Sequence, residues 1–117
     1  SELTARELLA LAISSEEEDA RIYEAYAARL DEAHAGTAEM LRQMAAEERG
    51  HGARLTALHH EQFGPDVPLV RRQDVRGFLK RKPLWLARTL TVPQIRASVK
   101  SMEDEAERFY ASAARAC

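Results

Sequence analysis

The chain contains one cysteine, Cys117, and this excludes both an internal disulfide framework and a cysteine-rich zinc or iron–sulfur site within one chain. No apolar run approaches the roughly 20 residues that a helix needs to span a bilayer. Glycine is sparse, and aromatic residues make up only 6% of the sequence. Alanine, glutamate, arginine and leucine are frequent, which is typical of an all-helical domain. The length of 117 residues fits a single domain over residues 1–117.

Charge is unevenly distributed along the chain. Residues 71–82 carry a net charge of +5, which leaves −7 for the rest of a chain whose overall charge is −2. The basic residues of this segment are Arg71, Arg72, Arg76, Lys80, Arg81 and Lys82. Apolar residues lie among and after them, so the segment is compatible with a nearby membrane surface. The simpler interpretation is a crossover that packs its apolar side chains on the helices. Nucleic acid is not expected, because the patch is short and the rest of the chain is acidic.

Apolar spacing predicts three long helices, over residues 3–30, about 37–63 and 93–117. The first has a capping box, with Thr4 as the cap and Glu7 three residues later. The second contains Gly50 and Gly52, and we expect it to continue past them because the apolar pattern keeps its phase. A long connection with several prolines follows, and a short helix is predicted within it at residues 73–82. His59 and His60 are expected on the surface or at the end of the second helix.

Glu48 and His51 stand three residues apart in the second helix, a spacing that places both side chains on one face. They replace apolar residues in the middle of the inward stripe. A carboxylate and an imidazole presented in this way can bind one transition metal ion, and the combination suits iron. Zinc or manganese would use the same ligands. Such a pair also occurs often by chance, so its position and the rest of the chain decide its meaning.

Glutamates also interrupt the apolar stripes of the first and third helices, at Glu16 and Glu103. Burial of an unpaired carboxylate costs several kcal/mol, so a core glutamate is expected to have a partner or a metal ion. An ordinary solvated acidic face is the alternative at Glu16. The two helices align at an offset of 87 residues with six identities, which indicates an internal repeat. The repeat predicts a fourth helix with its own Glu-x-x-His pair beyond residue 117, so we expect the chain to end before that helix.

This pattern matches a di-iron carboxylate bundle, in which two helices each supply one glutamate and two others each supply a Glu-x-x-His pair. The expected metal ligands are Glu16, Glu48, His51 and Glu103. Tyr23, Tyr110 and Glu47 are expected beside the ligand carboxylates, where a hydroxyl can donate a hydrogen bond. Aromatic core packing is the alternative role for the two tyrosines. No catalytic residue beyond the metal ligands is predicted.

Four segments carry a resemblance to a known family: residues 11–23, 44–51, 68–78 and 102–110. They resemble the rubrerythrin branch of the ferritin-like superfamily. More closely, they resemble the amino-terminal ferritin-like domain of bacterial membrane-bound ferritins, the erythrin–vacuolar iron transporter fusions. The basic crossover is the most specific part of this likeness, since ordinary rubrerythrins lack it. The resemblance implies an all-α, ferritin-like four-helix-bundle fold with a long basic crossover between helices 2 and 3, here without its fourth helix.

The resemblance also implies a function in iron homeostasis. The domain would bind and oxidise Fe(II) as the regulatory or delivery domain of a membrane iron exporter, in the cytoplasm at the inner face of a bacterial membrane. We further expect a homodimer that exchanges helices through the long crossover, because three helices leave apolar faces uncovered. Two alternatives stay open. One is a rubrerythrin-like peroxidase or oxidase acting at the di-iron site, and the other is a metal-free helical interaction module.

Overall fold

The computed structural model describes residues 3–30, 34–75 and 90–116, and all regular secondary structure within these ranges is helical. Its three long helices are α1 (Ala5–Arg29), α2 (Ala35–Phe63) and α3 (Val92–Ala116), with one 3-10 turn at Arg72–Asp74. The prediction of an all-α fold with three long helices is confirmed. The short helix predicted at residues 73–82 falls largely outside the described residues. No helix in the described ranges is both long and apolar enough to cross a bilayer.

Both α1 and α3 begin with a reciprocal cap. At α1 the Glu7 amide donates to the Thr4 hydroxyl at 3.1 Å, and the Thr4 amide donates to the Glu7 carboxylate at 2.9 Å. At α3 the same two bonds join Thr91 and Gln94, at distances of 3.2 and 2.9 Å. Each cap satisfies two backbone amides at a helix start. The capping box predicted at Thr4 and Glu7 is confirmed.

α2 runs without interruption through Gly50 and Gly52, as predicted. It ends at Gly64, whose φ of +92° lies in a region that residues with a Cβ rarely adopt. The unbroken helix keeps Glu48 and His51 one turn apart on the same face. The local order of α2 therefore presents these two side chains as a pair.

α1 is the central element of the fold, because within the described residues α2 and α3 both pack on it. Its buried stripe contains the positions that the apolar spacing predicts, which are Ile13, Glu16, Ala20, Tyr23 and Ala27. The shared core also contains Leu41 of α2 and Ile95 and Met102 of α3. The hydroxyl oxygens of Tyr26 and Ser98 lie 2.5 Å apart and tie α3 to α1. A change on α1 therefore affects the packing of both other helices.

Residues 64–75, here called the strap, lead from the end of α2 along the surface of α1. Three side chains attach the strap to α1: Arg6 donates to the Asp66 carbonyl, Ser14 donates to the Val70 carbonyl at 2.5 Å, and Arg72 donates to the Asp19 carboxylate at 2.7 Å. The contact points follow one another in the same order in both segments. The strap therefore runs parallel to α1 and delivers Arg72 to the middle of that helix.

His59 is completely buried at the end of α2, which is the second of the two placements expected for it. Its Nδ1 lies 2.9 Å from the Gly64 carbonyl oxygen, and the Arg6 Nε–H donates to its Nε2 at 3.3 Å. The neutral ring with its proton on Nδ1 satisfies both bonds. The sequence could not show this arrangement, because Arg6 is distant along the chain. His60 is exposed, as expected.

Candidate metal site

Glu16 of α1 meets Glu48 and His51 of α2 where the two helices face each other. Each residue offers one ligand atom, and these atoms all lie within 4.8 Å of one another. Glu16 is buried, Glu48 is partly buried, and His51 is exposed. The structure thus brings together three of the four residues that the sequence nominates as ligands. Two of them come from one turn of α2, and the third faces them from the central helix.

The close approach of α1 and α2 at this point depends on Gly52. Gly52 is buried, and a Cβ built on it would lie 3.7 Å from the Cβ of Glu16. An alanine would make an ordinary contact at that distance, whereas a larger side chain would press against α1. A small residue one position after His51 therefore lets the Glu16 carboxylate reach the ligands on α2.

One oxygen of the buried Glu16 carboxylate is unsatisfied. With the nearby carboxylates ionised, Glu16 Oε2 has no hydrogen-bond donor. His51 Nδ1 lies 3.5 Å from it, too far for a strong hydrogen bond. A transition metal ion binds such nitrogen and oxygen atoms at about 2.0–2.2 Å from each, so one ion would bridge this gap. Since a buried polar atom without a partner is costly, the residues present fit a bound metal ion.

Tyr110 of α3 holds the other oxygen of the same carboxylate. Its hydroxyl donates to Glu16 Oε1, although 40% of the residue's surface is exposed. Burial of the hydroxyl and this hydrogen bond raise the pKa of Tyr110 well above its usual range. The phenol therefore stays protonated and orients Glu16, so that Oε2 faces the two groups on α2. This contact agrees with the role predicted for Tyr110 beside a ligand carboxylate.

Arg72 of the strap is buried against α1, where it contacts Asp19 one turn beyond Glu16. Its burial corrects one prediction from the sequence. The sequence predicts that Arg72 belongs to a basic patch that could face a membrane, but only 7% of its surface is exposed. Its guanidinium lies 2.7 Å from Asp19, 2.9 Å from Glu18 and 3.6 Å from Glu105. Burial lowers the pKa of Arg72, but the charges of Asp19 and Glu18 outweigh this effect and raise it above the ordinary value. Arg72 thus joins the strap, α1 and α3 in one ion cluster.

The remaining nominated residues lie elsewhere. Glu103 is exposed on α3 and outside the ligand group, so its predicted inward position is wrong, and the buried acid of this turn is Glu105. Tyr23 lies in the core, and Glu47 is exposed beside Glu48. Arg71 is exposed. The other members of the predicted basic patch lie outside the described residues: Arg76, Lys80, Arg81 and Lys82.

The sequence prediction missed the ion cluster around Arg72. The repeat at an offset of 87 residues pairs Glu18 with Glu105, and both carboxylates contact the same guanidinium. This equivalence was a usable signal for a shared cation. The identity of that cation was not predictable, because it comes from the strap.

Comparison with known families agrees with this geometry. The family model described as Rubrerythrin matches residues 7–117, which include α2, α3, nearly all of α1 and every candidate ligand. The chain belongs to the rubrerythrin family. No curated protein and no solved structure matched the chain. The resemblance drawn from the sequence is thereby confirmed for the domain, and a rubrerythrin domain with a Glu, Glu and His group is consistent with metal binding.

In this rubrerythrin-family domain the metal-free site holds a proton on Glu48. Burial, and then the adjacent Glu16 carboxylate, raise the pKa of Glu48 to about 9 from an ordinary 4.5. A proton on Glu48 supplies the donor that Glu16 otherwise lacks. Between about pH 4.5 and 9 the unfolded chain loses this proton while the folded chain keeps it, so the Glu48 contribution to stability decreases as pH rises.

We therefore expect the metal-free protein to lose stability from pH 5 to pH 9, and the Glu48→Gln variant to lose less. The difference between them should grow to about 1–2 kcal/mol, well below the full value of the shift, because solvent screens a partly exposed carboxyl. Urea denaturation in the presence of a chelator measures it at each pH. Glu47→Gln, at an exposed neighbouring position, should behave as the parent chain. If the unfolding free energies of the parent and Glu48→Gln changed equally with pH, this would contradict a proton held between Glu48 and Glu16.

Proposed function

We propose that this domain binds Fe(II) through Glu16, Glu48 and His51 and takes part in its oxidation, as a step in iron homeostasis. One observation carries the proposal. With the neighbouring carboxylates ionised, the buried Oε2 of Glu16 has no hydrogen-bond donor, and it belongs to the only cluster of three metal-ligating side chains found in the described residues. Membership of the rubrerythrin family supports iron as the metal.

The donor set also supports iron. Two carboxylates and one imidazole combine hard and intermediate ligands, which suit Fe(II) and would also accept manganese or zinc. Bound iron would supply the electron for reduction of dioxygen or peroxide. The protein's own groups would hold and orient the ion: Tyr110 orients Glu16, and Glu48 would release its proton on binding a cation.

We further propose that a second copy of the chain completes the site. Three ligands are fewer than the four that the smallest closed coordination shell uses. Beside the site, an apolar groove of about 210 Å³ opens between α1, α2 and α3, with Leu9, Leu58 and Phe109 in its wall. Helix exchange in a homodimer would cover this groove and would offer the exposed Glu103 of the partner to the metal. A folded monomer with a filled metal site would argue against this assembly.

The proposed attachment to a membrane iron exporter, at the cytoplasmic face of a bacterial membrane, has a narrower basis. It is supported by the resemblance of residues 68–78 to the crossover of membrane-bound ferritins. In the structure this segment begins within the strap, and Arg71 on it is exposed. The site and the strap are joined through α1, since Arg72 contacts Asp19 one turn from Glu16.

An anaerobic Fe(II) titration tests the metal site. The parent chain is compared with a Glu48→Ala/His51→Ala double variant and with His60→Ala, which removes an exposed histidine from the same helix. We expect saturable binding in the parent and in His60→Ala, and its loss in the double variant. Air is then admitted, and a ferric absorption band in the near ultraviolet should appear only where binding was saturable.

The stoichiometry and the mass of the species identify the assembly. Sedimentation analysis of the loaded protein should show a dimer with more than one ion per dimer. Metal binding that is equal in the parent and the double variant would refute the site. Consumption of peroxide at many equivalents per chain with an added reductant would favour the peroxidase alternative over iron handling.

A further inference from the structure

A pocket of about 360 Å³ opens directly beside the candidate ligands. Glu16 and His51 form one side of it, Leu55 and Leu58 another, and Tyr110 closes it from α3. The only formal positive charge in its lining is Arg54. The pocket is large enough for a small molecule, and its lining combines apolar walls with a few polar groups, as ligand sites commonly do. It lies on the open side of the metal site.

Arg54 is placed to act at this site. It follows His51 by three residues, so the two side chains lie on the same face of α2. Its guanidinium extends back toward the ligand turn, since a Cβ built on Gly50 would lie 3.7 Å from Arg54 Nη1. The Arg54 guanidinium therefore lies alongside the turn of α2 that contains Glu48 and His51. Arg54 thus lines the same pocket as the candidate ligands Glu16 and His51 without offering a ligand atom itself.

Arg54 also differs from the other arginines of α2. Arg42 pairs with Glu39, and Arg49 pairs with Glu24 on α1. In the described part of the chain, no carboxylate lies within salt-bridge distance of Arg54. An arginine fork that no protein carboxylate occupies is suited to bind a carboxylate or phosphate group of a ligand.

The net charge that the site would carry with a metal ion bound also favours an anionic ligand. One divalent ion balances Glu16 and Glu48, and Arg54 then leaves the pocket with one positive charge in excess. Oxidation of the ion to the trivalent state would add another. Glu47 is exposed to solvent, and this screening weakens the influence of its negative charge on the pocket. An open pocket with excess positive charge beside apolar side chains attracts small anions.

We propose that this pocket binds a small oxyanion, such as phosphate or a simple carboxylate, through Arg54 at the open side of the metal ion. The proposal rests on the metal site of the proposed function and adds a second ligand to it. Anion and metal then increase each other's affinity, because binding linkage is reciprocal. The oxyanion would add a negative charge and an oxygen donor to those of the three protein ligands, in addition to any ligand from a partner chain.

The test measures how oxyanions change metal affinity. Co(II) binding is followed by visible absorption at constant ionic strength, with chloride as the only anion, then with inorganic phosphate, and separately with acetate. We expect an oxyanion to raise the Co(II) affinity of the parent chain about tenfold, as one charge-assisted contact allows. Arg54→Gln should lose this increase, and Arg54→Lys should keep part of it. The exposed Arg42, far from the pocket on the same helix, supplies the control variant Arg42→Gln.

The possible results distinguish the type of anion, and they separate failure of the pocket from failure of the metal site. A larger increase with phosphate identifies a tetrahedral anion, and a larger increase with acetate identifies a carboxylate. Co(II) binding in chloride that is insensitive to both anions in all variants overturns the oxyanion pocket and leaves the metal site intact. An equal increase in the parent and in Arg54→Gln also overturns it. Failure of Co(II) to bind in chloride and in both oxyanions overturns the metal site together with the pocket.

Discussion

Replacement of Glu16 by glutamine is expected to weaken metal binding by about 100-fold or more. Removal of a hydrogen bond that only supports a ligand can already weaken metal binding by up to about 100-fold, and Glu16 is proposed as a ligand itself. The same variant should be more stable than the parent chain when no metal is present. Both effects have one cause. In the metal-free protein the buried Oε2 of Glu16 has a donor only through a proton on Glu48, and it would become a ligand when an ion binds. Glutamine keeps the shape and the hydrogen bond from Tyr110 but removes the charge.

A decrease in metal affinity together with an increase in metal-free stability would show that Glu16 binds metal rather than supports the fold. Metal affinity is measured by anaerobic titration, and stability by thermal denaturation with a chelator. Glu17→Gln is the matched control, because Glu17 is adjacent on α1 and exposed. A Glu16→Gln variant that loses both affinity and stability would show that Glu16 supports the fold rather than the ion. Unchanged affinity would remove Glu16 from the site.

Replacement of Arg72 by methionine is expected to destabilise the domain by about 3–5 kcal/mol, the usual cost of breaking a buried ion pair. The loss is large because a domain of this size is stable by only about 5–15 kcal/mol. Methionine keeps much of the side-chain volume but leaves the buried Asp19 and Glu105 without their shared cation. The strap also loses its attachment to the middle of α1.

Urea denaturation gives the free-energy difference directly. Arg71→Met changes the exposed neighbour in the same strap and should alter stability by less than about 0.5 kcal/mol. Neutralising the two buried acids in an Arg72→Met/Asp19→Asn/Glu105→Gln variant should restore part of the loss, since part of the cost comes from removing the cation that they share. An Arg72→Met variant as stable as the parent would mean that the three carboxylates are solvated rather than clustered.

Local patterns in the sequence were sufficient to predict much of this arrangement. The stripe of α1, the cap at Thr4 and the pairing of Glu48 with His51 all depend on residues within a few turns of one another. Glu16 was identifiable because it interrupts an apolar stripe that has to be buried. These features follow from helix geometry and from the cost of burying a charge, and both act over short distances along the chain.

Long-range packing decided what the sequence left open. Steps of three and four fit two neighbouring faces of α3 equally well, and adjacent helix positions point about 100° apart. The packing of Ile95 and Met102 on α1 selects the face that carries Glu105 and turns Glu103 outward. Arg72 looked like one of several basic residues, and only the path of the strap along α1 shows that it is buried.

The central position of α1 has a consequence for how stability is distributed. α2 packs closely on α1, whereas the backbone of α3 approaches α1 closely at few points, so the two interfaces contribute unequally to the fold. Every candidate ligand in the cluster belongs to α1 or α2. The free energy of metal binding therefore adds to the part of the molecule that already has the larger interface. Metal loading widens the gap between a resistant α1–α2 hairpin and an α3 that can open separately, which makes α3 the cooperative unit of lowest stability.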